Sequence, residues 1–248
     1  MEKNKKKVAI VTGAAKNIGR ATCIELAKLG FNILIHANTD SKGAKETLYE
    51  VKELGTDAEI IIGDLTTESF IKSMIDKSLD LGNLAALVNN ASQRNFIKFE
   101  DMNLDDWRHV MKINLDAVFL TCKYAIPKMK DNHWGRIINL GGLSAHIGAI
   151  GRAHVVTSKS ALIGFTRALA TEYAGTGITA NCVVPGLIDT IRGASAGAGL
   201  VHPTHSDPPI GRKGFPIEVA KMISNLCNKN SDFVTGQTIH VNGGSYFS

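Results

Sequence analysis

An alternation that runs from one end of this chain to the other restricts its fold more than any other feature. Short runs rich in β-branched residues, at 8–11, 33–35, 60–62, 84–88, 136–140 and 178–184, are each followed by a longer amphipathic stretch. Runs that are mostly apolar, with no strict alternation of apolar and polar residues, read as strands buried on both faces, and such strands belong to parallel sheets. The stretches between them, near 18–29, 41–54, 67–81, 104–129, 153–174 and 216–228, are long enough for right-handed helical crossovers. Residues 173–177 close the fifth helix with two glycines, and 234–241 reads as a last strand after a turn at Gly236. The expected architecture is α/β: a doubly wound parallel sheet of about seven strands with helices on both faces.

No linker interrupts this rhythm, so all 248 residues are expected to form one domain. An apolar fraction of 44% and a charged fraction of 21% suit a globular core, and no run reaches the roughly 18 apolar residues of a membrane span. The net charge of +5 is uneven. Residues 1–7 hold four lysines and one glutamate, which is +3 and leaves +2 for the rest, so a basic, solvated tail is expected there and neither nucleic acid nor membrane is an expected partner. Cys23, Cys122, Cys182 and Cys227 are scattered, with no Cys-x-x-Cys pair, and no secretory signal is seen, which points to a reducing, cytoplasmic setting. One region breaks both periods. Residues 193–214 crowd Gly, Ala, Ser, His and Pro and read as a loop over a ligand cleft, since they follow the sixth strand at the carboxyl edge of the sheet. His202 and His205 stand there at a three-residue spacing but lack further ligands nearby, so no metal site is expected.

The first strand runs directly into Thr12-Gly13-Ala14-Ala15-Lys16-Asn17-Ile18-Gly19 and then a helix. Gly13 permits a tight turn and Gly19 a close helix, so that backbone N–H groups at the helix start, Lys16, Asn17 and Ile18 among them, face a pyrophosphate. This is the Rossmann arrangement for a dinucleotide. At the tip of the second strand an NAD site would offer a carboxylate to the adenosine ribose, whereas here Ile35 is followed by His36-Ala37-Asn38-Thr39, with Asp40 only later. An uncharged tip at Asn38 leaves room for a 2′-phosphate that Lys16 can neutralise, so NADP(H) is favoured and NAD(H) is the alternative.

With this turn in place the chain resembles a short-chain dehydrogenase/reductase, most closely in texture the 3-oxoacyl carrier-protein reductases and pteridine-reductase-like members. The likeness continues in order through Asp64-Leu65, Asn89-Asn90-Ala91, Asn114, Lys159, Pro185-Gly186 and Asn242-Gly243-Gly244. Asn17 stands where the family commonly has glycine. The resemblance implies that Asp64 and Leu65 border the adenine and that Asn90 and Ala91 lie along the cofactor. It also implies that Pro185, Gly186, Ile188 and Thr190 reach toward the nicotinamide end, that Lys159 holds the nicotinamide ribose, and that Asn114 bends its helix and supports a water linked to the lysine. A homo-oligomer, a dimer or more commonly a tetramer, built on the fourth and fifth long helices and the carboxyl-terminal strand is implied as well.

The family moves hydride between a nicotinamide and a carbonyl or alcohol carbon while a tyrosine handles the proton and a serine orients the substrate oxygen. Here those positions are Val155 and Gly142. His154 is a candidate replacement because imidazole titrates near neutrality. On a regular helix, however, it lies about 140° around the axis from Lys159, against about 40° for Val155, unless the helix starts at Val155 or later and frees it. Ser144 and His146, just beyond Gly142, can orient a carbonyl. The catalytic candidates are therefore Lys159, Asn114, His154 and Ser144. The expected function is NADP(H)-dependent oxidation or reduction of a small carbonyl or alcohol substrate with a non-standard proton donor. The alternative is a catalytically impaired nucleotide-binding sensor or partner subunit.

Overall fold

A computed structural model of the protein describes residues 6–191 and 207–248. Most of the expected basic tail, and residues 193–206 of the expected loop with His202 and His205, lie outside the described residues. Among the described residues no helix is long and apolar enough to cross a membrane.

Seven strands form one sheet: β1 (Lys7–Val11), β2 (Asn32–Ala37), β3 (Ala58–Ile62), β4 (Asn83–Asn89), β5 (Gly135–Leu140), β6 (Ile178–Pro185) and β7 (Thr238–Val241). Their order is β3-β2-β1-β4-β5-β6-β7, and every neighbouring pair is parallel. The helices are α1 (Asn17–Lys28), α2 (Ser41–Lys52), α3 (Glu68–Ser78), α4 (Leu104–Met111), α5 (Ala117–Asp131), α6 (Ser144–Ile147), α7 (Ala153–Glu172) and α8 (Pro216–Leu226). Alternate residues of the central strands feed two separate cores. Ala9, Val11, Ile33 and Ile35 pack on one face with residues of α1, α2 and α8, while Ile10, Leu34, Leu84 and Leu87 pack on the other with those of α3, α5 and α7. A strand apolar on both sides is what such a sandwich requires, and the doubly wound fold follows.

Three details depart from the sequence reading. β3 is an edge strand with Ile62 exposed, not a buried one, because among the described residues no strand pairs with it beyond β2. Only Thr238–Val241 of the expected last strand is extended. Residues 234–237 are instead held as a turn by β6: the Asn181 side chain donates to the Val234 carbonyl and accepts from the Gln237 N–H, and the Gly236 N–H reaches the Ala180 carbonyl. The stretch 104–129 is two α-helices joined by a π-helical turn, Lys112–Asp116. At its centre the Asn114 amide donates to the Gln93 carbonyl at 3.0 Å and accepts from the Gln93 N–H at 2.8 Å, so a side chain bonded to another loop sits where the helix widens.

Beneath the sheet's carboxyl edge a chain of buried polar groups crosses the molecule. Thr121 of α5 donates to Asn89 of β4, Asn89 donates to Asn139 of β5 at 2.9 Å, and Asn139 donates to Thr166 of α7 at 3.0 Å. Each group has its partner, so burial is tolerated and four elements are fixed in register.

Candidate active site

The strand order reverses between β1 and β4, so their connections leave on opposite faces and open a crevice at their carboxyl ends. The crevice is bridged at its base. The Thr12 hydroxyl accepts the N–H groups of Asn90 and Ala91, both at 3.0 Å, and the Asn90 side chain donates to the carbonyls of Thr12 and Gly13, both at 2.9 Å. Two glycines make the close approach possible. A Cβ on Gly13, whose φ is +64°, would lie 2.9 Å from the Ala91 Cα, and one on Gly19 would lie 2.3 Å from the Gly13 carbonyl oxygen.

α1 then begins at Asn17. Its N-cap, Lys16, makes no side-chain capping bond, and no acidic residue stands in its first turn, so among the described residues no carboxylate in that turn offsets its leading amides. Lys16 and Asn38 are exposed. Asp40, the acid closest to the tip of β2, accepts the Gly43 N–H at 2.9 Å and caps α2. Asp64, beyond β3, is exposed and turned back on Thr66, whose N–H and hydroxyl both bond to it and hold its carboxyl below the usual range; Leu65 beside it is buried. Asn17 adopts φ +53°, a left-handed value that asparagine tolerates. Its amide donates to the Ile191 carbonyl at 2.8 Å and accepts the Ile191 N–H at 3.0 Å, a two-point clasp between the glycine turn and the far wall.

That far wall follows β6. Gly186 packs so tightly on Asn242 that a Cβ would lie 2.5 Å from its Cα. Ile188 is buried, and the chain on either side of it pairs with Gly214, which brings the described end of the 193–214 region back alongside Leu187–Asp189. Thr190 is half-buried between this pairing and the Asn17 clasp.

On the third side lies Lys159, 3% exposed, its Nζ donating to the Leu140 carbonyl at 2.6 Å. Burial, then the charge of Arg94, pulls its pKa down to about 7, and Cys182 opposes them. Arg94 is brought near because Gln93, its neighbour, is held by Asn114, which in turn donates to the hydroxyl of Ser158, beside Lys159. Gly142 faces the lysine: a Cβ there would meet nothing closer than the Lys159 Cγ at 3.8 Å and the Ser144 hydroxyl at 3.9 Å. Val155 is buried, a turn before the lysine on α7.

Two histidines do not join this group. α7 starts at Ala153, so His154 lies within the helix rather than in the preceding loop. It is fully buried, and the charges acting on it are those of Asp106 on α4 and Arg152, with burial pushing its pKa down. His146 stacks against His240 and Tyr246, with ring centroids 4.5 and 4.9 Å away, toward the chain end. Sequence reasoning missed Thr12, His36, Gln93, Arg94 and Ser158. His36 had a signal, since a polar ring inside an apolar strand needs partners.

Residues 13–246 match a family model described as Enoyl-(Acyl carrier protein) reductase. The chain is 35% identical to the 3-oxoacyl-(acyl-carrier-protein) reductase FabG of Aquifex aeolicus over 97% of both chains. It is 34% identical to the acetoacetyl-CoA reductase of Cupriavidus necator over 96% of this chain and 97% of the other. Among solved structures, the acetoin dehydrogenase YohF from Salmonella typhimurium superposes with a TM-score of 0.86 at 32% identity, covering 96% of this chain and 95% of that one. Matched over nearly its whole length by this family model and by relatives at 32–35% identity, the chain belongs to the short-chain dehydrogenase/reductase family of oxidoreductases.

Proposed function

We propose that the protein is an NADP(H)-dependent oxidoreductase acting on a small carbonyl or alcohol substrate, with Lys159 handling the proton that a tyrosine handles elsewhere in the family. The observation that carries this reading is Lys159 itself, a buried amine with a pKa of about 7 that stands beside the vacant space at Gly142. An acid that is half protonated at neutral pH can both give and take a proton there, which an ordinary lysine cannot.

The crevice fits a nicotinamide dinucleotide. The uncapped first turn of α1 receives an anion, and the Cβ-free surfaces of Gly13 and Gly19 allow backbone approach. When bound, that cofactor supplies or accepts the hydride. Lys16, Asn17, Ile18, Asn90, Ala91, Ile188 and Thr190 would hold it, and Asp64 and Leu65 would lie at its adenine end. NADP(H) is preferred over NAD(H) because Asp40 is spent on the α2 cap and Asn38 carries no charge, so no carboxylate opposes a 2′-phosphate and Lys16 attracts it. Lys159 gives its proton to the substrate oxygen as hydride reaches the carbon, directly or through water, and recovers one from solvent. Ser144 offers a hydroxyl to orient that oxygen, and Asn114 fixes the Gln93 wall. His154, buried within α7, is the weaker proton donor. The names of the relatives suggest β-keto thioesters and hydroxyketones as the first substrates to try. A homo-oligomer is part of the reading, with Phe119 of α5, half exposed against Phe165 of α7, on the interface.

A second reading, a nucleotide-binding sensor without turnover, is favoured by the joint loss of a hydroxyl at Gly142 and Val155. Titration with NADPH and NADH, followed by a carbonyl panel, separates the two: turnover with a pH break near 7 that vanishes in Lys159→Met supports the enzyme, and tight binding with no turnover supports the sensor. Gly142→Ser combined with Val155→Tyr should raise carbonyl reduction by about 10²-fold or more, the usual contribution of general acid catalysis.

A further inference from the structure

His36 lies at the carboxyl end of β2, is 1% exposed, and uses both ring nitrogens. The Gly13 N–H donates to its Nδ1 at 3.2 Å, and its Nε2 lies 2.9 Å from the Gly63 carbonyl oxygen. An amide N–H can only donate and a carbonyl can only accept, so Nδ1 must be bare and Nε2 must carry the hydrogen. The backbone takes part as well. The His36 carbonyl accepts the Ala14 N–H at 2.8 Å, and the Val88 carbonyl accepts that of Thr12 at 3.0 Å. The first three amides of the glycine turn are thereby drawn inward, which leaves the later ones, at the start of α1, for a ligand. On its other side His36 holds Gly63, the residue before Asp64, and its ring lies 5.7 Å from that of Phe70, which closes on Gly63.

We propose that His36 is a positioning residue for the nucleotide: a strut, locked in one tautomer, that sets the spacing between the Gly13 turn and the Gly63–Asp64 segment, so that cofactor affinity falls when the ring is protonated. The proposal rests on the nucleotide-binding reading above and adds to it a residue that does not touch the ligand. Protonation places the ring's second hydrogen on Nδ1, directly against the Gly13 N–H, and one of the two groups must move. The charged groups on the segments around the ring include Lys16 and Arg20 on the turn and α1, Asp40 before α2, Asp64 after β3, and Glu68 and Lys72 on α3, the helix that carries Phe70. Arg20 is engaged by Glu46 and Glu50, and Asp40 by the Gly43 N–H, while Asp64 is the charge that acts on the ring and favours its protonation. Burial outweighs it and holds His36 below the usual histidine range, so the neutral strut prevails at neutral pH.

The test is the affinity of the full-length protein for NADPH and NADH, measured by fluorescence from pH 8 to pH 5, in wild type, His36→Asn and His36→Phe. NADH lacks the 2′-phosphate, which titrates in the same range and would otherwise obscure the result. Asparagine can place an amide oxygen near the Nδ1 position and does not titrate, whereas phenylalanine fills the volume without either bond. Expected in the wild type is a Kd for NADH that rises by up to tenfold per pH unit once the ring begins to protonate, as binding linked to one proton requires. His36→Asn should bind within a few-fold of wild type at pH 8 and lose that acid limb, and His36→Phe, with its melting temperature checked, should bind about tenfold more weakly at every pH. An identical pH profile in wild type and His36→Asn, or tighter binding on acidification, overturns the strut and leaves the nucleotide-binding reading standing. A wild-type protein that binds neither nucleotide at any pH overturns both.

Discussion

Replacing Lys159 by methionine should make the nucleotide-free protein more stable at neutral pH while removing its proton chemistry. The lysine side chain is 3% exposed and its pKa falls from 10.5 unfolded to about 7 folded. Between those values the unfolded chain binds the proton and the folded one does not, so the penalty is complete below pH 7, shrinks as pH rises and disappears above 10.5. At pH 7 the difference amounts to about 4 kcal/mol, at about 1.4 kcal/mol per pKa unit. Methionine removes that cost but strands the Leu140 carbonyl, now bonded to Nζ at 2.6 Å, which costs about 2 kcal/mol. The net gain is about 2 kcal/mol, or a rise of about 4–8 °C in Tm for a chain of this size. Because the wild type recovers with pH, the advantage should disappear near pH 9 and reverse by pH 10. Thermal and urea melts of both proteins between pH 7 and pH 10, without nucleotide, provide the assay. A methionine variant that is less stable at pH 7, with a gap that does not change with pH, would refute the account of a buried, strained charge and with it the proton-donor role.

Two further outcomes follow from the geometry. Asn17→Gly should accept the φ of +53° without strain yet lose the clasp, so amide exchange at Ile191 should speed up while the urea midpoint scarcely moves; Asn17→Ala, which loses the clasp and strains the turn, should cost about 1–2 kcal/mol. Asn139→Leu breaks the buried chain between Asn89 and Thr166 and leaves polar groups unpaired, and a loss of about 3 kcal/mol is expected from urea unfolding; a change below about 1 kcal/mol would show that the chain relaxes around the gap.

The strands and the glycine turn were legible because their signals are local. A run such as Ile33–Ile35 cannot be solvated, and Gly13 and Gly19 stand where a Cβ would strike backbone. Lys159 was legible as well, though its depressed pKa was not, since that depends first on its burial in the folded molecule and then on Arg94, carried in by a loop far away in the chain. What escaped were side chains whose purpose lies across the fold. That Asp40 caps α2 through the Gly43 N–H was not legible, because nothing in its immediate sequence marks it as a cap rather than a ligand group. The π turn at Asn114 depends on the Gln93 backbone, and no periodicity in residues 104–129 could announce it. His154 required only the helix start, and a shift of two residues there would have given the opposite answer.

The pairing of β1 with β4 also governs the order in which the chain can mature. β1 can lie beside β2 once residue 37 exists, but its second neighbour, starting at Asn83, is separated from it by two strands and three helices. Until that segment arrives, one flank of the central strand is an open edge, apolar from Val8 to Val11. A ribosome pausing in the stretch between would therefore hold the nascent polypeptide in its most adhesive state, so synthesis speed across residues 40–80 should bear more heavily on aggregation than speed anywhere later.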